Sequence, residues 1–255
     1  MVVPGLDSAR AAAPNGQSDD ELSSQAEETT APLRTVELND WYNATLHQQD
    51  GSINQAIFRV IAPFTADGIP HWSRFTLPYT TSATSGKTGT GDAELVELRG
   101  FDESWGRFGA GAVVQMPTGA DAVTSNKWSV GPSLGMSTMG DTKYRWGFLL
   151  RTYWSVAGES SAKNVGIVNF QPNFTLQLGE GRTLSLGQTQ LVYDTAASRW
   201  KSLQLGLKLG GVSRTRAWSG IRWKPTAEID YDFRKIRGDP EWTARVGITM
   251  LMPRR

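Results

Sequence analysis

The C-terminal stretch Ser219–Met252 reads SGIRWKPTAEIDYDFRKIRGDPEWTARVGITMLM, and two runs in it alternate between apolar and polar residues. Apolar residues occupy every second position from Ile221 to Phe233, and the alternation resumes after the turn RKIRGDPE. Because successive side chains of a strand point to opposite faces, the pattern predicts a hairpin of two long strands, each with one apolar face. Pro225 is the one local objection, because proline cannot donate a ladder hydrogen bond.

The length of these two strands favours a membrane. Soluble sheets commonly use strands of roughly five to six residues, whereas about nine to eleven residues at a steep tilt cross a bilayer. Aromatic residues lie near the ends of the apolar faces, as expected for a girdle at a membrane interface: Trp223, Tyr231, Phe233 and Trp242. A soluble lipocalin-like barrel also alternates, with its apolar face inside, so one hairpin leaves both kinds of barrel open.

Composition excludes several classes of protein. The 255 residues carry 26 Lys plus Arg against 25 Asp plus Glu, so no basic excess predicts a nucleic-acid partner. The absence of Cys excludes disulfide frameworks, thiolate metal sites and Cys nucleophiles. No window approaches 18 consecutive apolar residues, so the sequence predicts no transmembrane helix. A mean hydropathy of -0.36 suits a membrane barrel as well as a soluble protein, because half of a barrel wall faces water.

The N-terminal segment differs in composition from the rest. Residues 1–35 are rich in Ser, Ala, Gln and acids, and such a segment cannot bury enough apolar surface to fold alone. The sequence Ser18-Asp19-Asp20-Glu21 resembles a capping box, which predicts a short helix to about Glu28. We therefore expect residues 1–35 to be a flexible or partly helical segment, periplasmic or lumenal, and residues 36–255 to form an outer-membrane barrel.

The first residues lack the apolar core of a signal peptide, and only the run Ala11-Ala12-Ala13 resembles the end of a cleavage region. We expect the precursor start to be missing or replaced, and the mature protein to reside in the bacterial outer membrane. A cytosolic protein is the alternative.

Turn-forming residues divide the remainder into about twelve alternating runs without a helical period. The predicted strands lie near 38–48, 53–63, 71–80, 92–99, 106–117, 127–137, 144–154, 165–178, 182–193, 199–210, 219–233 and 240–252. Regularly spaced strands without helices predict an all-β fold, and about twelve of them predict a transmembrane antiparallel up-and-down β-barrel.

Charged residues in the middle of these strands indicate which strand face is in contact with water and which with lipid. A charge such as Arg59 or Arg151 would cost about 2–4 kcal/mol against lipid at the midplane. We therefore predict a lumen lined by Arg59, Arg74, Arg145, Arg151, Lys208, Arg222, Lys224, Glu228, Asp230 and Arg245. The inner face, which also carries Asp92 and Glu94, has a cationic excess that would favour anionic solutes through an open lumen. The alternative is a plugged lumen in which these groups cross-link the wall.

An even strand count places both termini on one side, which in bacterial barrels is the periplasm. The extracellular connections would then be SATSGKTGTG, TGADAVTSN, SVAGESSAKN, the Asp194–Ser198 turn and RKIRGDP. Arg222, Lys224 and Arg245 would point inward on neighbouring strands, and replacing Arg222 and Arg245 by Gln should shift a channel's preference toward cations.

Several segments resemble a family of bacterial outer-membrane barrels classed with the meta-cleavage pathway of phenol degradation. The matching segments are GAGAVVQMPTGAD (109–121), KWSVGP (127–132), YWSVAGES (153–160), NFQP (169–172), GDPEW (238–242) and a last strand ending MLMP. The resemblance covers roughly Asp92 to Pro253. The last strand of outer-membrane barrels commonly finishes in an aromatic residue. This sequence differs, because it ends in Met252-Pro253-Arg254-Arg255. The resemblance implies a transporter that takes up small solutes passively, including aromatic acids.

Two other functions remain open: a lipid-modifying enzyme of the outer membrane and a structural or scaffold barrel. His71 and Ser73 share a strand face, but no GxSxG elbow accompanies them, so we predict no catalytic residues. SGKT at 85–88 lacks the first Gly of a phosphate loop. Glu228 and Asp230 could take part in acid–base chemistry or bind Ca²⁺, but the neighbouring cations Arg222, Lys224 and Arg245 favour a structural ion-pair ladder. We expect outer-membrane lipid and small solutes as partners, and no cofactor or metal.

Overall fold

The computed structural model describes residues 17–121, 123–139, 143–213 and 221–252. One helix, α1 (Asp19–Gln25), precedes the strands. The strands are β1 (Arg34–Leu46), β2 (Ile53–Ala66), β3 (Ile69–Ala83), β4 (Gly89–Thr90), β5 (Ala93–Glu103), β6 (Gly106–Met116), β7 (Lys127–Thr138), β8 (Tyr144–Gly158), β9 (Gly166–Gly179), β10 (Arg182–Ser185), β11 (Gln190–Asp194), β12 (Arg199–Gly211), β13 (Arg222–Asp232) and β14 (Pro240–Met252). The predicted turn at 140–141, most of the turn at 213–216 and the last three residues lie outside the described ranges.

The strands close into an antiparallel barrel. Apart from the short strands β4, β10 and β11, each strand pairs with the strands next to it along the chain, and β1 pairs with both β2 and β14. The short strands β10 and β11 both lie between β9 and β12 and share one position, while β4 is a two-residue addition to β3. This confirms the predicted twelve-stranded barrel. We call the rim where β1 begins and β14 ends the terminal rim, and the opposite one the distal rim.

Two local predictions need correction. The strand predicted at 182–193 is interrupted between Ser185 and Gln190. Gly187 there has φ +59°, in the left-handed region that favours glycine, and the Gln188 N–H donates to Glu228 Oε1 at 2.5 Å. The predicted loop SATSGKTGTG contains the short strand β4.

Pro225 fits its strand because of its place in the ladder. It pairs with Ile248 of β14, whereas the ladder between β12 and β13 reaches only as far as Thr226. A strand tolerates a missing N–H donor where one side has no ladder partner. The proline therefore lies inside β13 without interrupting the barrel.

The two faces of the wall show which side meets lipid. Large apolar side chains point outward and are exposed, among them Leu205, Leu207 and Leu209 on β12, Ile229 on β13 and Val246 on β14. Lys224, between outward neighbours on β13, has no exposed surface. An apolar outside and a charged inside are the reverse of a soluble barrel and the arrangement of a transmembrane one.

Exposed aromatic residues gather at both rims. Trp105, Tyr144 and Trp146 lie near the terminal rim, and Trp128, Trp154, Trp200 and Trp242 lie near the distal rim. Such girdles are typical of the two interfaces that a barrel makes with a membrane. Among the described residues, no helix is long and apolar enough to span a membrane.

Candidate functional site

Residues 17–33, which we call the lumenal segment, enter the barrel from the terminal rim. The Ser18 Oγ accepts the Glu21 N–H at 3.1 Å, so the predicted N-cap begins α1. Leu22 of this helix is fully buried and packs against Leu33 and against Val212 and Leu251 of the wall. Burial of these side chains anchors the segment, since each large apolar side chain contributes about 1.5–3 kcal/mol when fully buried.

Glu27 of the lumenal segment pairs with two lysines of the wall. The Lys224 Nζ lies 2.7 Å from Glu27 Oε1 and also donates to the Ser23 carbonyl at 2.7 Å. Lys208 pairs with the other carboxylate oxygen. Burial alone would raise the pKa of Glu27, but the two ammonium groups outweigh it and lower the pKa from 4.5 to about 2. The carboxylate therefore stays ionised inside the barrel.

Three arginines hold the rest of the segment. Arg145 pairs with Glu21 at 2.6 Å and also with Glu28. Arg107 reaches the same Glu28 at 3.4 Å, and Arg222 pairs with Asp19 at 2.9 Å. Ion pairs thus bind the lumenal segment to the wall from Asp19 to Glu28.

Further ion pairs lie within the wall itself. Arg245 is 3.1 Å from Glu228 and 3.2 Å from Asp230, and its guanidinium stacks over the Trp41 ring at 4.2 Å. The neighbouring strands β13 and β14 bring these charges together, because Glu228 and Arg245 are opposite each other in the ladder. They form the structural ion-pair ladder that the sequence favours over a Ca²⁺ site. No group of three or more metal-ligating side chains occurs among the described residues.

A cavity of about 390 Å³ occupies the distal part of the interior, and we call it the distal cavity. Four of its lining residues are cationic and two are acidic: Arg59, Arg74, Arg151 and Lys201 against Asp92 and Glu94. Amide side chains surround them, from Gln115, Asn169, Gln171, Gln188 and Gln190. The lining is therefore polar and carries a net positive charge. The lumenal segment with the facing wall encloses only a small space of about 80 Å³.

Two arginines share one carboxylate in the distal cavity. Arg151 donates to both Glu94 oxygens at 2.9 and 2.8 Å, and Arg74 lies 3.5 Å from Glu94. The Tyr153 hydroxyl also donates to Glu94. Arg59 pairs separately with Glu37 at 3.1 Å. The Nε atoms of Arg74 and Arg151 are buried, and no hydrogen-bond acceptor in the described part of the chain reaches them. This cluster has more cationic groups than carboxylates.

The structure places all ten predicted site residues inside the barrel, in three groups. Arg59, Arg74 and Arg151 border the distal cavity, Arg145, Lys208, Arg222 and Lys224 bind the lumenal segment, and Glu228, Asp230 and Arg245 form the ladder in the wall. Sequence reasoning missed the acids that compensate them: Asp19, Glu21, Glu27, Glu28 and Glu37. The signal was the acidic run DDELSSQAEE, which supplies a counter-charge for cations on the inner strand faces.

The pair His71 and Ser73 lies on the outer face of β3, since their neighbour Trp72 is buried inside. His71 Nδ1 is 3.0 Å from Glu97 Oε1, and the Ser73 hydroxyl donates to the other oxygen of the same carboxylate. A serine nucleophile requires its hydroxyl to donate to the base. Here it donates to Glu97, so the described contacts do not form a Ser–His pair.

A closed twelve-stranded barrel with an apolar outside and a charged interior defines a transmembrane β-barrel of the kind found in outer membranes. No protein-family model matches the chain, and no curated protein matches it. Three solved barrels are similar in structure at low sequence identity. The COG4313 outer membrane channel from Pseudomonas putida F1 has a TM-score of 0.61 and 13% identity, with 89% of this chain and 98% of that chain covered.

The NanC porin gives a TM-score of 0.57 and 12% identity, over 84% of this chain and 98% of that one. The KdgM porin, solved in complex with disordered oligogalacturonate, has a TM-score of 0.51 and 16% identity, with 84% of this chain and 97% of that chain covered. At these identities the likeness establishes the fold. None of the three is described as a phenol-degradation protein, so that part of the sequence resemblance stays a prediction.

Proposed function

We propose that this chain is an outer-membrane channel for small anionic solutes, with the distal cavity as its solute-binding vestibule. The observation that carries the proposal is the excess of cations over carboxylates in that cavity, combined with an amide-rich lining. Guanidinium groups bind carboxylates through paired N–H donors, and amides bind neutral polar groups. Anionic compounds with further polar groups, aromatic acids among them, match this lining.

The lumenal segment acts as the plug of this channel. It fills the terminal part of the interior, where acids from the segment neutralise cations of the wall. A solute that enters from the distal rim meets a positively charged cavity and then the plug. Passage to the other side requires the segment to move. The four cations and two acids of the distal cavity then line the path. The cations that pair with the lumenal segment hold the plug: Arg107, Arg145, Lys208, Arg222 and Lys224.

The fold and its porin neighbours support the outer membrane as the location. Because β1 begins and β14 ends at the terminal rim, and bacterial barrels keep their short turns and strand ends on the periplasmic side, the distal rim is the extracellular side in this proposal. The rival functions are a lipid-modifying enzyme and a structural barrel. The Ser73 hydroxyl donates to Glu97, and this contact supports neither a catalytic role nor a role in transport. A purified barrel that shows no conductance, no solute flux and no hydrolase activity would support the structural barrel.

Charge selectivity provides the sharpest test. Replacing both Arg222 and Arg245 would leave Asp19, Glu228 and Asp230 without their cations. Arg74→Gln is a better test of selectivity than that double substitution, because it leaves Glu94 with its closer partner Arg151. We expect the fold to persist and the reversal potential in a salt gradient across a planar bilayer to shift toward cations.

Arg99→Gln is the matched control, since Arg99 lies on the outer face of β5 and is exposed. It removes the same charge without changing the cavity. An equal shift in both variants, or none in Arg74→Gln, would show that the distal cavity does not select ions.

A further inference from the structure

The connection after β13 and the first residues of β12 form one platform at the distal rim. The Arg234 Nε donates to the Trp200 carbonyl at 3.0 Å, and the Phe233 N–H donates to the Leu203 carbonyl at 3.1 Å. The connection after β13 therefore lies directly on the beginning of β12. This brings the Arg-rich turn RKIRG next to Arg199, which the channel proposal does not use.

Cationic side chains of this platform are available to a ligand. Arg199, Lys235 and Arg237 are exposed, and within the described ranges none of the three forms an ion pair, although Arg199 lies near enough to Asp239 to oppose the rise that burial causes in the pKa of that carboxyl. With Arg234 they form what we call the cationic crown: Arg199, Arg234, Lys235 and Arg237. These four cations create a positive surface at this part of the distal rim.

The acids near the crown are engaged by the chain itself. Asp232 accepts from the Ser202 hydroxyl at 2.5 Å and from the Leu203 and Arg234 N–H groups at 3.0 and 2.8 Å. Asp194 accepts the Ala197 N–H at 2.8 Å. Burial raises the pKa of Asp239, although nearby cations oppose the change. Asp194 and Asp232 therefore organise the connections, and Asp239 offsets part of the charge of Arg199, so the crown keeps an excess of positive charge.

An apolar aromatic surface lies directly beside the crown on the outer wall. Trp200 and Phe233 are 45% and 57% exposed. Tyr193 contacts Trp200 with ring centroids 5.3 Å apart, and Tyr231 contacts Phe233 and Trp242 at 4.8 and 4.7 Å. A ligand of this surface would therefore meet several cations and an aromatic belt at once.

We propose that the cationic crown and its aromatic belt bind the phosphorylated headgroup of a glycolipid in the outer leaflet. Phosphate groups pair with Arg and Lys of the crown, and the acyl chains lie along the aromatic belt, which stands on the lipid-facing side of the wall. A small anionic solute lacks the apolar part and would leave Trp200 and Phe233 exposed. The inference rests on the proposed outer-membrane location with the distal rim facing outward. It does not depend on whether the barrel conducts ions.

The test uses the full chain in detergent and native mass spectrometry with a bis-phosphorylated lipid A. We expect the barrel to retain this glycolipid. The variant R199Q/K235Q/R237Q should bind it on the order of a hundredfold more weakly, because each basic residue near an anionic membrane surface contributes about fivefold to the affinity. The control K87Q/K163Q/R182Q removes three exposed charges elsewhere on the barrel. It should bind as the unaltered chain does.

The other arms identify the ligand. Lipid A without its phosphates, inorganic phosphate and phosphatidylglycerol should each bind far more weakly than the bis-phosphorylated form. Equal binding of phosphatidylglycerol, or equal loss in the crown and control variants, would overturn the proposal. Because this readout involves no current, a barrel that binds the glycolipid but fails to conduct would refute the channel function and leave the crown intact.

Discussion

Deleting residues 1–30 should raise the conductance of the barrel by at least about tenfold, because the lumenal segment occupies the terminal part of a lumen of intermediate width. The segment closes that part through Leu22 and through ion pairs to Lys208, Lys224 and Arg145. Without the segment, water can enter and solvate the freed cations, which would make the opened lumen selective for anions. Planar-bilayer recordings of the deleted and full-length chains measure both effects.

A cross-link supplies the control for this experiment. The Ser23 and Thr183 hydroxyl oxygens are 3.3 Å apart, one on α1 and the other on β10. The chain contains no Cys, so S23C/T183C introduces a single possible disulfide. We expect the oxidised variant to stay closed and its reduced form to match the unaltered chain. A deleted barrel that conducts no better than the full chain would show that the lumenal segment is not the obstruction.

The wall of the barrel was predictable because a strand encodes its faces locally. Alternation with period two assigned every candidate site residue to the inner face, from Arg59 on β2 to Arg245 on β14, and counting the runs predicted twelve strands. The interruption at 186–189 escaped prediction. The turn that interrupts the strand includes a hydrogen bond from the Gln188 N–H to Glu228. Because these residues are 40 positions apart, no local sequence pattern predicts the bond.

For the same reason, the sequence left the location of the lumenal segment open between the periplasm and the lumen. Its composition predicted a helix with a capping box, and α1 begins at that cap. What holds it inside the barrel is a set of pairs between distant residues, such as Glu27 and Lys224, which are 197 positions apart. Neither a charge count nor a period can assign such partners. The cationic excess inferred for the inner face is therefore largely balanced where the segment lies and persists mainly at the distal cavity.

Glu27→Gln should release the lumenal segment. The substitution leaves Lys208 and Lys224 buried without a counter-charge, and removing one partner of a buried ion pair costs about 3–5 kcal/mol. The backbone amides of α1 should then exchange with deuterium more than about a hundredfold faster, while the strands keep their protection. Glu180→Gln is the matched control at the same rim, because Glu180 forms an exposed pair with Arg182 at 3.1 Å, and such pairs contribute little.

The pH dependence of closure should identify the same carboxylate. Docking lowers the pKa of Glu27 from 4.5 to about 2, so its contribution is complete above about 4.5 and is lost as the pH falls through 2. Lys208 and Lys224 face this carboxylate from β12 and β13, and Ser185 donates to it from β10. The open probability of the full chain should therefore rise as the pH is lowered from 4.5 toward 2, and this rise should be reduced in Glu27→Gln, which has no carboxylate to protonate. Identical profiles in the two proteins would mean that the pair between Glu27 and the lysines does not hold the segment in place.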